Sequence, residues 1–400
     1  MSEKTTLDLV PGTGSQNYTF LVGEHVYLRT FAPGDEKNAT SWRNSIFPKS
    51  PELVEKWIKE ELPNEGKRNR GHLAIVRKSD DVLIGSISCY FGDVSVFATP
   101  HVDPLYGEKG QRWLAEAIVL AAKWQVDENF SAALYIDISS DMQVTIDEVI
   151  ASGFIETARF REMYEKNGKR YDQVKLYYFN AAWVERLGSP METVLPRTGS
   201  GEVRPVPAKT VLEGDPPVNA VMVGARVYLR PEDKKDAEKT AGASRMEEES
   251  FWDIGRHLVP EAKLAVWMSE GRDDDHPRNI WFSVCLREND EVIGSVGMLN
   301  VDFVNRTGET GSFFHEAKWR GGGYGSEAKQ LLLEYIFDVL GFHMVQSFVY
   351  FPNTRSAAAL RKQGYREAGR ACWLYTYEGG FGNMVVFDLL ADEWRALPRG

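Results

Sequence analysis

Five short stretches of this chain occur twice. Val26-Tyr27-Leu28-Arg29 returns as Val227-Tyr228-Leu229-Arg230, and Ile84-Gly85-Ser86 returns as Ile293-Gly294-Ser295. Glu116-Ala117, Gly153-Phe154 and Trp183 return as Glu327-Ala328, Gly364-Tyr365 and Trp394, all displaced by the same 211 positions. One shared displacement over so long a span is hard to reach by chance. A chain of 400 residues is also long enough for two domains with proper cores, so one unit built twice is the expectation. Between the copies, Pro190, Pro196, Pro205, Pro207, Pro216 and Pro217 stand among Gly, Ser and Thr. Proline fixes φ and donates to no ladder, so this composition reads as a semi-extended linker. The expected division is a flexible N-terminus over 1–19, a first domain over 20–188, a linker over 189–220 and a second domain over 221–398.

Each copy reads as α+β in one order. A strand carries Tyr-Leu-Arg, and helical segments follow around Trp57 (residues 50–60) and Trp267 (residues 261–269). Apolar or alternating strands come next, over 73–77 with 83–91 and over 280–286 with 292–299. A loop–helix unit, a strand (133–138; 344–351), a short helix ending at Gly153 or Gly364 and a final strand pair complete the copy. In the second copy Glu378-Gly379-Gly380 marks the hairpin turn of that pair.

The chemistry gathers at Trp319-Arg320-Gly321-Gly322-Gly323-Tyr324-Gly325-Ser326-Glu327-Ala328. Four glycines let the backbone turn tightly and approach a ligand closely. The run that follows, residues 329–340, carries an apolar stripe at Ala328, Leu331, Leu332, Tyr335, Ile336 and Val339, which predicts a helix. A glycine loop feeding a helix aims unpaired N–H groups and the positive end of the dipole at one spot, where a phosphate fits. No Gly-Lys-Ser/Thr follows, against a Walker loop, and the glycines come too late in the unit for a dinucleotide fingerprint. The bland alternative is a hinge without a ligand.

These residues resemble a family. Arg320-Gly321-Gly322-Gly323-Tyr324-Gly325 is similar to the Arg/Gln-x-x-Gly-x-Gly/Ala pyrophosphate loop of the Gcn5-related N-acetyltransferases, the GNAT superfamily. The longer string from Gly308-Glu309-Thr310-Gly311 through Glu327-Ala328 looks like the branch of ribosomal-protein N-terminal, diamine and antibiotic acetyltransferases. Asn353-Thr354-Arg355-Ser356 and Gln363-Gly364-Tyr365 fit that branch's Asn-x-x-Ser…Gly-aromatic signature. The resemblance covers about residues 222–396 and implies two tandem acyl-CoA N-acyltransferase domains, each a mixed, mostly antiparallel twisted sheet flanked by helices.

It also implies acetyl-CoA, or another acyl-CoA, as donor and a primary amine as acceptor, either a small molecule or a protein N-terminus, with direct attack and no metal. The coenzyme set it implies is Phe313, Phe314, His315, Arg320, Gly321, Gly322, Gly323, Tyr324, Gly325, Ser326, Asn353 and Ser356. The family's splayed strand falls on residues 310–315, whose free backbone groups would pair with pantetheine and polarise the thioester. Glu309 matches the family's acidic residue and is the candidate general base acting through water; a solvated strand-edge carboxylate is the competing reading. His315 has a suitable intrinsic pKa but sits where stacking or capping serves as well. Asn353 is also simply a good helix start. The tyrosine that protonates the thiolate in many relatives is missing from Ala359-Leu360-Arg361-Lys362, which leaves Ser356, a water or no dedicated acid.

In the first copy Arg112 and Leu114 stand in place of Gly323 and Gly325, and Met142 in place of Asn353. That copy reads as a pseudo-acetyltransferase that holds shape, completes an interface or helps wall the substrate site; a second, altered site using Lys109 and Arg112 is the alternative. An acyl-CoA-binding regulator or scaffold is the competing function for the whole chain.

A net charge of −11 argues against a nucleic-acid partner held by phosphates. Three cysteines far apart (Cys89, Cys285, Cys372) suggest a reducing compartment, and no apolar run reaches a membrane span. The expectation is a cytoplasmic protein, monomeric or homodimeric, with no membrane partner. Trp252, Trp267, Trp281 and Trp319 read as core or pocket walls. Asp273-Asp274-Asp275-His276 reads as a solvated loop before a metal site. Trp373, Tyr375 and Tyr377 alternate as acceptor-pocket wall or half-buried strand face.

Overall fold

A computed structural model describes residues 19–43, 47–65, 69–192, 202–246, 260–268 and 276–400. The expectations for residues 1–18, Pro196, Trp252 and Asp273–Asp275 lie outside the described residues. Contacts divide the chain into two compact units. The first comprises residues 1–157, 173–193 and 372–375, and the second residues 158–172, 194–371 and 376–400.

The strands contributed by the first half of the chain are β1 (Thr19–Val22), β2 (Val26–Arg29), β3 (Arg70–Arg77), β4 (Val82–Phe91), β5 (Val96–Val102), β6 (Ala133–Ser139), β7 (Ile155–Lys166) and β8 (Lys169–Phe179). The sheet of the first unit runs β1-β2-β3-β4-β5-β6-β8. Its pairs are antiparallel except for the parallel β5–β6 pair. The helix Gly107–Lys123 lays Trp113, Leu114, Ala117, Ile118 and Ala121 into the core beside Ile75, Ile87, Ile136 and Leu176. Each such side chain removed from water contributes about 1.5–3 kcal/mol, which fixes the helix on the sheet.

The second half adds β9 (Met222–Val223), β10 (Val227–Pro231), β11 (Ile280–Leu286), β12 (Val292–Asp302), β13 (Thr307–Phe314), β14 (Met344–Tyr350), β15 (Arg366–Tyr377) and β16 (Gly380–Leu390). The order is β15-β16-β14-β13-β12-β11-β10-β9, with β13–β14 parallel and the other registered pairs from β16 to β9 antiparallel. The predicted helix begins at Tyr324, four residues ahead of Ala328, the first residue of the apolar stripe. It runs to Glu334 and continues in wider turns over Tyr335–Val339. Ala328, Leu331, Leu332 and Leu333 pack into a core with Val296, Met298, Val345, Phe387 and Trp394. The hairpin between β15 and β16 turns at Glu378 and Gly379, both at positive φ. The α+β class, with mostly antiparallel sheet and flanking helices, is the one the sequence predicts.

The recurring letters of the sequence turn out to be recurring contacts. Glu116 accepts hydrogen bonds from the backbone N–H of His25 at 2.9 Å, and Glu327 accepts from the backbone N–H of Arg226 at 2.7 Å. Arg29 forks onto Asp35 with two 2.7 Å bonds, and Arg230 forks onto Asp236 at 2.9 and 2.8 Å. The glutamates tie the starts of β2 and β10 to the helices that carry them and the arginines tie their ends, all through hydrogen bonds stronger than neutral ones. Part of the proline-rich segment is packed as well. Arg204 N–H bonds Lys362 O at 2.8 Å, and Val206 is buried in the second unit's core, with its N–H on Pro398 O.

In both units the parallel pair is brief. β5 and β6 pair from Val96–Leu134 to Ala98–Ile136, and β13 and β14 pair from Thr307–Met344 to Glu309–Gln346. Beyond Glu309 the two strands part, although β13 runs on to Phe314 and β14 to Tyr350.

Candidate active site

The fork between β13 and β14 opens into a cavity of about 740 Å³. At its apex Thr310 holds the two strands together through side chains. Its Oγ1 bonds Gln346 O at 3.3 Å, and its carbonyl accepts the Ser347 hydroxyl at 2.9 Å. Thr310 Oγ1 also lies 2.9 Å from the buried Tyr365 hydroxyl, whose pKa burial pushes well up. One wall is the indole of Trp281. A β-carbon at Gly297 would meet that ring at 2.5 Å and one at Gly311 at 3.0 Å, so both glycines are needed for it to lie flat.

The glycine loop forms the opposite side. Gly321 and Gly323 adopt φ of +82° and +88°, a region L side chains rarely enter. Arg226 organises the loop: Nη1 donates to Gly322 O at 2.9 Å, Nε donates to Glu327 at 2.9 Å, and the guanidinium lies 4.5 Å from the Tyr324 ring centroid. Arg320 folds back to donate to Phe314 O at 2.8 Å. The first intrahelical bond is from Glu327 N–H to Gly323 O, and the helix start carries no side-chain cap. The N–H groups of Tyr324, Gly325 and Ser326 are therefore the orphan donors of this helix, and Gly325 and Ser326 border the cavity.

Two ionisable groups sit in the cavity wall between fork and loop. Glu309 accepts from Asn300 Nδ2 at 3.2 Å; burial raises its carboxyl above the ordinary range, and Asn300 and Lys329 oppose that shift. Lys329, on the loop helix, is only 4% exposed, and its Nζ lies 6.0 Å from the Tyr365 ring centroid. Burial pulls its ammonium down to about 7, against the attraction of Glu309.

Glu309, Phe313, Phe314, Arg320, Gly321, Gly323, Gly325, Ser326, Asn353 and Ser356 all border this cavity. Asn353 caps the helix Thr354–Lys362, accepting from Ser356 N–H at 3.1 Å. Gly322 and Tyr324 shape the loop without lining the cavity; Tyr324 stands edge-on to Trp319 at 5.5 Å. His315 is set apart. Its N–H still bonds Ile293 O in the sheet, its Nε2 lies 3.2 Å from Thr240 Oγ1, and burial holds it neutral with a pKa of about 4. Trp281 and Trp319 are cavity walls, whereas Trp373, Tyr375 and Tyr377 do not line it.

Sequence reasoning missed Lys329, Ser347 and Arg204, which also line the cavity. For Lys329 there was a signal. The 211-residue displacement puts it opposite Ile118, so a lysine stands where the other copy has an isoleucine. In the first unit the loop is absent, because the helix already spans Gly107–Lys123. Arg112 pairs with Glu148 at 2.5 Å and Leu114 is buried in the core.

Fork, glycine loop and capped helix thus meet at one cavity, and part of this chain is similar to known proteins. Residues 226–366 match the family model of the acetyltransferase (GNAT) domain. An uncharacterized N-acetyltransferase p20 of Bacillus licheniformis is 33% identical over 116 residues, 28% of this chain and 63% of that protein. The chain thus spans less than two thirds of that curated relative. Among solved structures, a GNAT-family acetyltransferase from Bacillus anthracis is 21% identical, covering 42% of this chain and 96% of its own, with a TM-score of 0.36. A spermidine N-acetyltransferase chimera from Vibrio cholerae is 15% identical, covering 43% of this chain and 99% of its own, with a TM-score of 0.39.

Proposed function

We propose that the second unit transfers an acetyl group from acetyl-CoA to a primary amine. The observation that carries this reading is the convergence of three parts on one cavity: the fork that ends at Glu309, the uncapped helix start at Tyr324–Ser326, and the Asn353-capped helix. The N–H groups of Tyr324, Gly325 and Ser326 receive the pyrophosphate, and the helix dipole adds to that attraction. The strand beyond Glu309 offers backbone groups to pantetheine and to the thioester carbonyl, where negative charge develops during attack. Glu309, through water, takes a proton from the acceptor ammonium, and the freed amine attacks directly. A carboxyl whose pKa burial has raised is a better base near neutrality than an ordinary glutamate.

The acceptor is a small-molecule amine or a protein N-terminal amine. The first unit is a degenerate copy in a tandem pair and holds shape rather than coenzyme: Leu114 and Arg112 stand where the loop glycines stand in the second. The test is calorimetric titration of the intact chain with acetyl-CoA. One site per chain supports a single competent unit, and two sites overturn the degenerate reading. Binding followed by no transfer to any amine in a broad screen identifies a coenzyme-binding scaffold instead.

A further inference from the structure

A buried lysine is costly, since taking an ammonium out of water costs several kcal/mol unless the surroundings restore it. Lys329 sits in the cavity wall and faces two groups, the Glu309 carboxylate from β13 and the Tyr365 ring just ahead of β15. Among the described residues Glu309 is the one charge that shifts it.

The other unit shows what these positions hold when no site is built. The β5–β6 pairing ends at Ala98 as the β13–β14 pairing ends at Glu309. The glutamate clamp two residues before Ile118 is the counterpart of the one two residues before Lys329. Ala98 and Ile118 are each 1% exposed and belong to the apolar core. An acid and a lysine therefore stand together where the same framework otherwise packs alanine against isoleucine. The fold does not need the pair.

We propose that Lys329 is the proton donor to the coenzyme thiolate as it leaves, with Glu309 recharging it. This rests on the acetyl transfer proposed above and supplies the acid that the tyrosine-free helix Thr354–Lys362 lacks. The acceptor nitrogen attacks the thioester carbonyl carbon, a C–N bond forms, and the C–S bond breaks with its electron pair going to sulfur. The Lys329 ammonium gives that sulfur a proton and becomes neutral. Of the two protons the acceptor ammonium loses, one passes through Glu309 back to Lys329, and the other goes to solvent. A lysine whose pKa burial has brought to about 7 can both give and regain a proton near neutral pH.

The test needs no knowledge of the acceptor, because free coenzyme A is the probe. Its thiol is titrated by thiolate ultraviolet absorbance while bound to the intact chain and to Lys329→Met, Lys329→Ile and Lys329→Arg. Lys329→Ile restores the residue the first unit packs at this position, so it is expected to fold. An ammonium beside the sulfur lowers the thiol's titration by about one pH unit relative to free coenzyme. Arginine stays charged throughout, so Lys329→Arg is expected to show that lowering, whereas the wild type, whose lysine is neutral above about 7, and the Met and Ile variants are expected to lack it. Equal titration in all four overturns the inference while leaving the coenzyme reading in place. Failure of the wild type to bind coenzyme A in calorimetry overturns both.

Discussion

The carboxylate of Glu327 accepts the backbone N–H of Arg226 at 2.7 Å and that of Val227 at 3.2 Å, while Arg226 returns its Nε to the same carboxylate at 2.9 Å. One side chain thus fixes the start of β10 on the loop helix, and through Arg226 it also reaches the Gly322 carbonyl. Glu327→Gln keeps the shape and loses the charge. The expected cost is about 1.5–3 kcal/mol, that of a hydrogen bond to a charged group, read as a lower melting temperature by calorimetry. Arg226→Ala is expected to weaken coenzyme binding beyond its effect on stability, because the loop loses its tie.

In the proposed function Gly325 is the position where backbone and coenzyme would meet. A β-carbon there would lie 3.1 Å from Phe314 Cε2, a contact the ring can relieve by a small shift. Gly325→Ala is expected to weaken acetyl-CoA binding a few-fold, and Gly325→Trp to abolish it by filling the space above the helix N-terminus. Titration calorimetry reads both. Undiminished binding by the tryptophan variant would remove the loop from the coenzyme site.

In the proposed transfer Glu309 would act as a base only when ionised, and its raised pKa sets the pH at which it could. Turnover is expected to fall as pH drops through that raised value, so the acidic limb of kcat/KM lies above the 4.5 of an ordinary glutamate. Glu309→Gln is expected to remove that limb and lower kcat by about 10²–10⁴, the usual worth of a general base, with acetyl-CoA affinity preserved. An unchanged kcat would place the base elsewhere.

Lys329 also makes a prediction about stability alone. Its ammonium is depressed from 10.5 to about 7 in the folded chain, so between those values the unfolded chain binds the extra proton. Stability therefore rises with pH across that window on account of this residue, and the penalty for burying the charge is full below it. Lys329→Ile is expected to abolish this slope and to be the more stable protein at the acid end. Melting temperatures of both proteins over a pH series check it; parallel curves would mean that Lys329 is solvated.

Much of the fold was readable because its signals are local. The succession of elements along each half followed from period and turn chemistry, and the loop from four glycines ahead of an apolar stripe. The site was readable where backbone decides it, at Gly321, Gly323, Gly325 and Asn353. It was less readable where a side chain's direction decides it. His315 has a residue type and position suited to the loop, yet strand pairing to Ile293 turns it toward Thr240. Lys329 looks like one more polar residue on an amphipathic helix, and only packing against the fork shows that it faces inward. The four extra residues at the helix start, Tyr324 to Glu327, were hidden because this glycine-containing turn adds nothing to the apolar stripe.

The fork has a further consequence for the protein before it meets its ligand. Past Glu309 and Gln346 two strands in the middle of a sheet stop exchanging rungs, which leaves an unfinished β-edge that a peptide could mimic a partner for. In the proposed function the coenzyme's amide-bearing arm would be such a partner, and its occupancy would stabilise the folded chain by mass action. Coenzyme supply then governs the shelf life of the second unit: a depleted preparation is expected to aggregate on warming sooner than a saturated one, and added coenzyme A to act as a small-molecule chaperone.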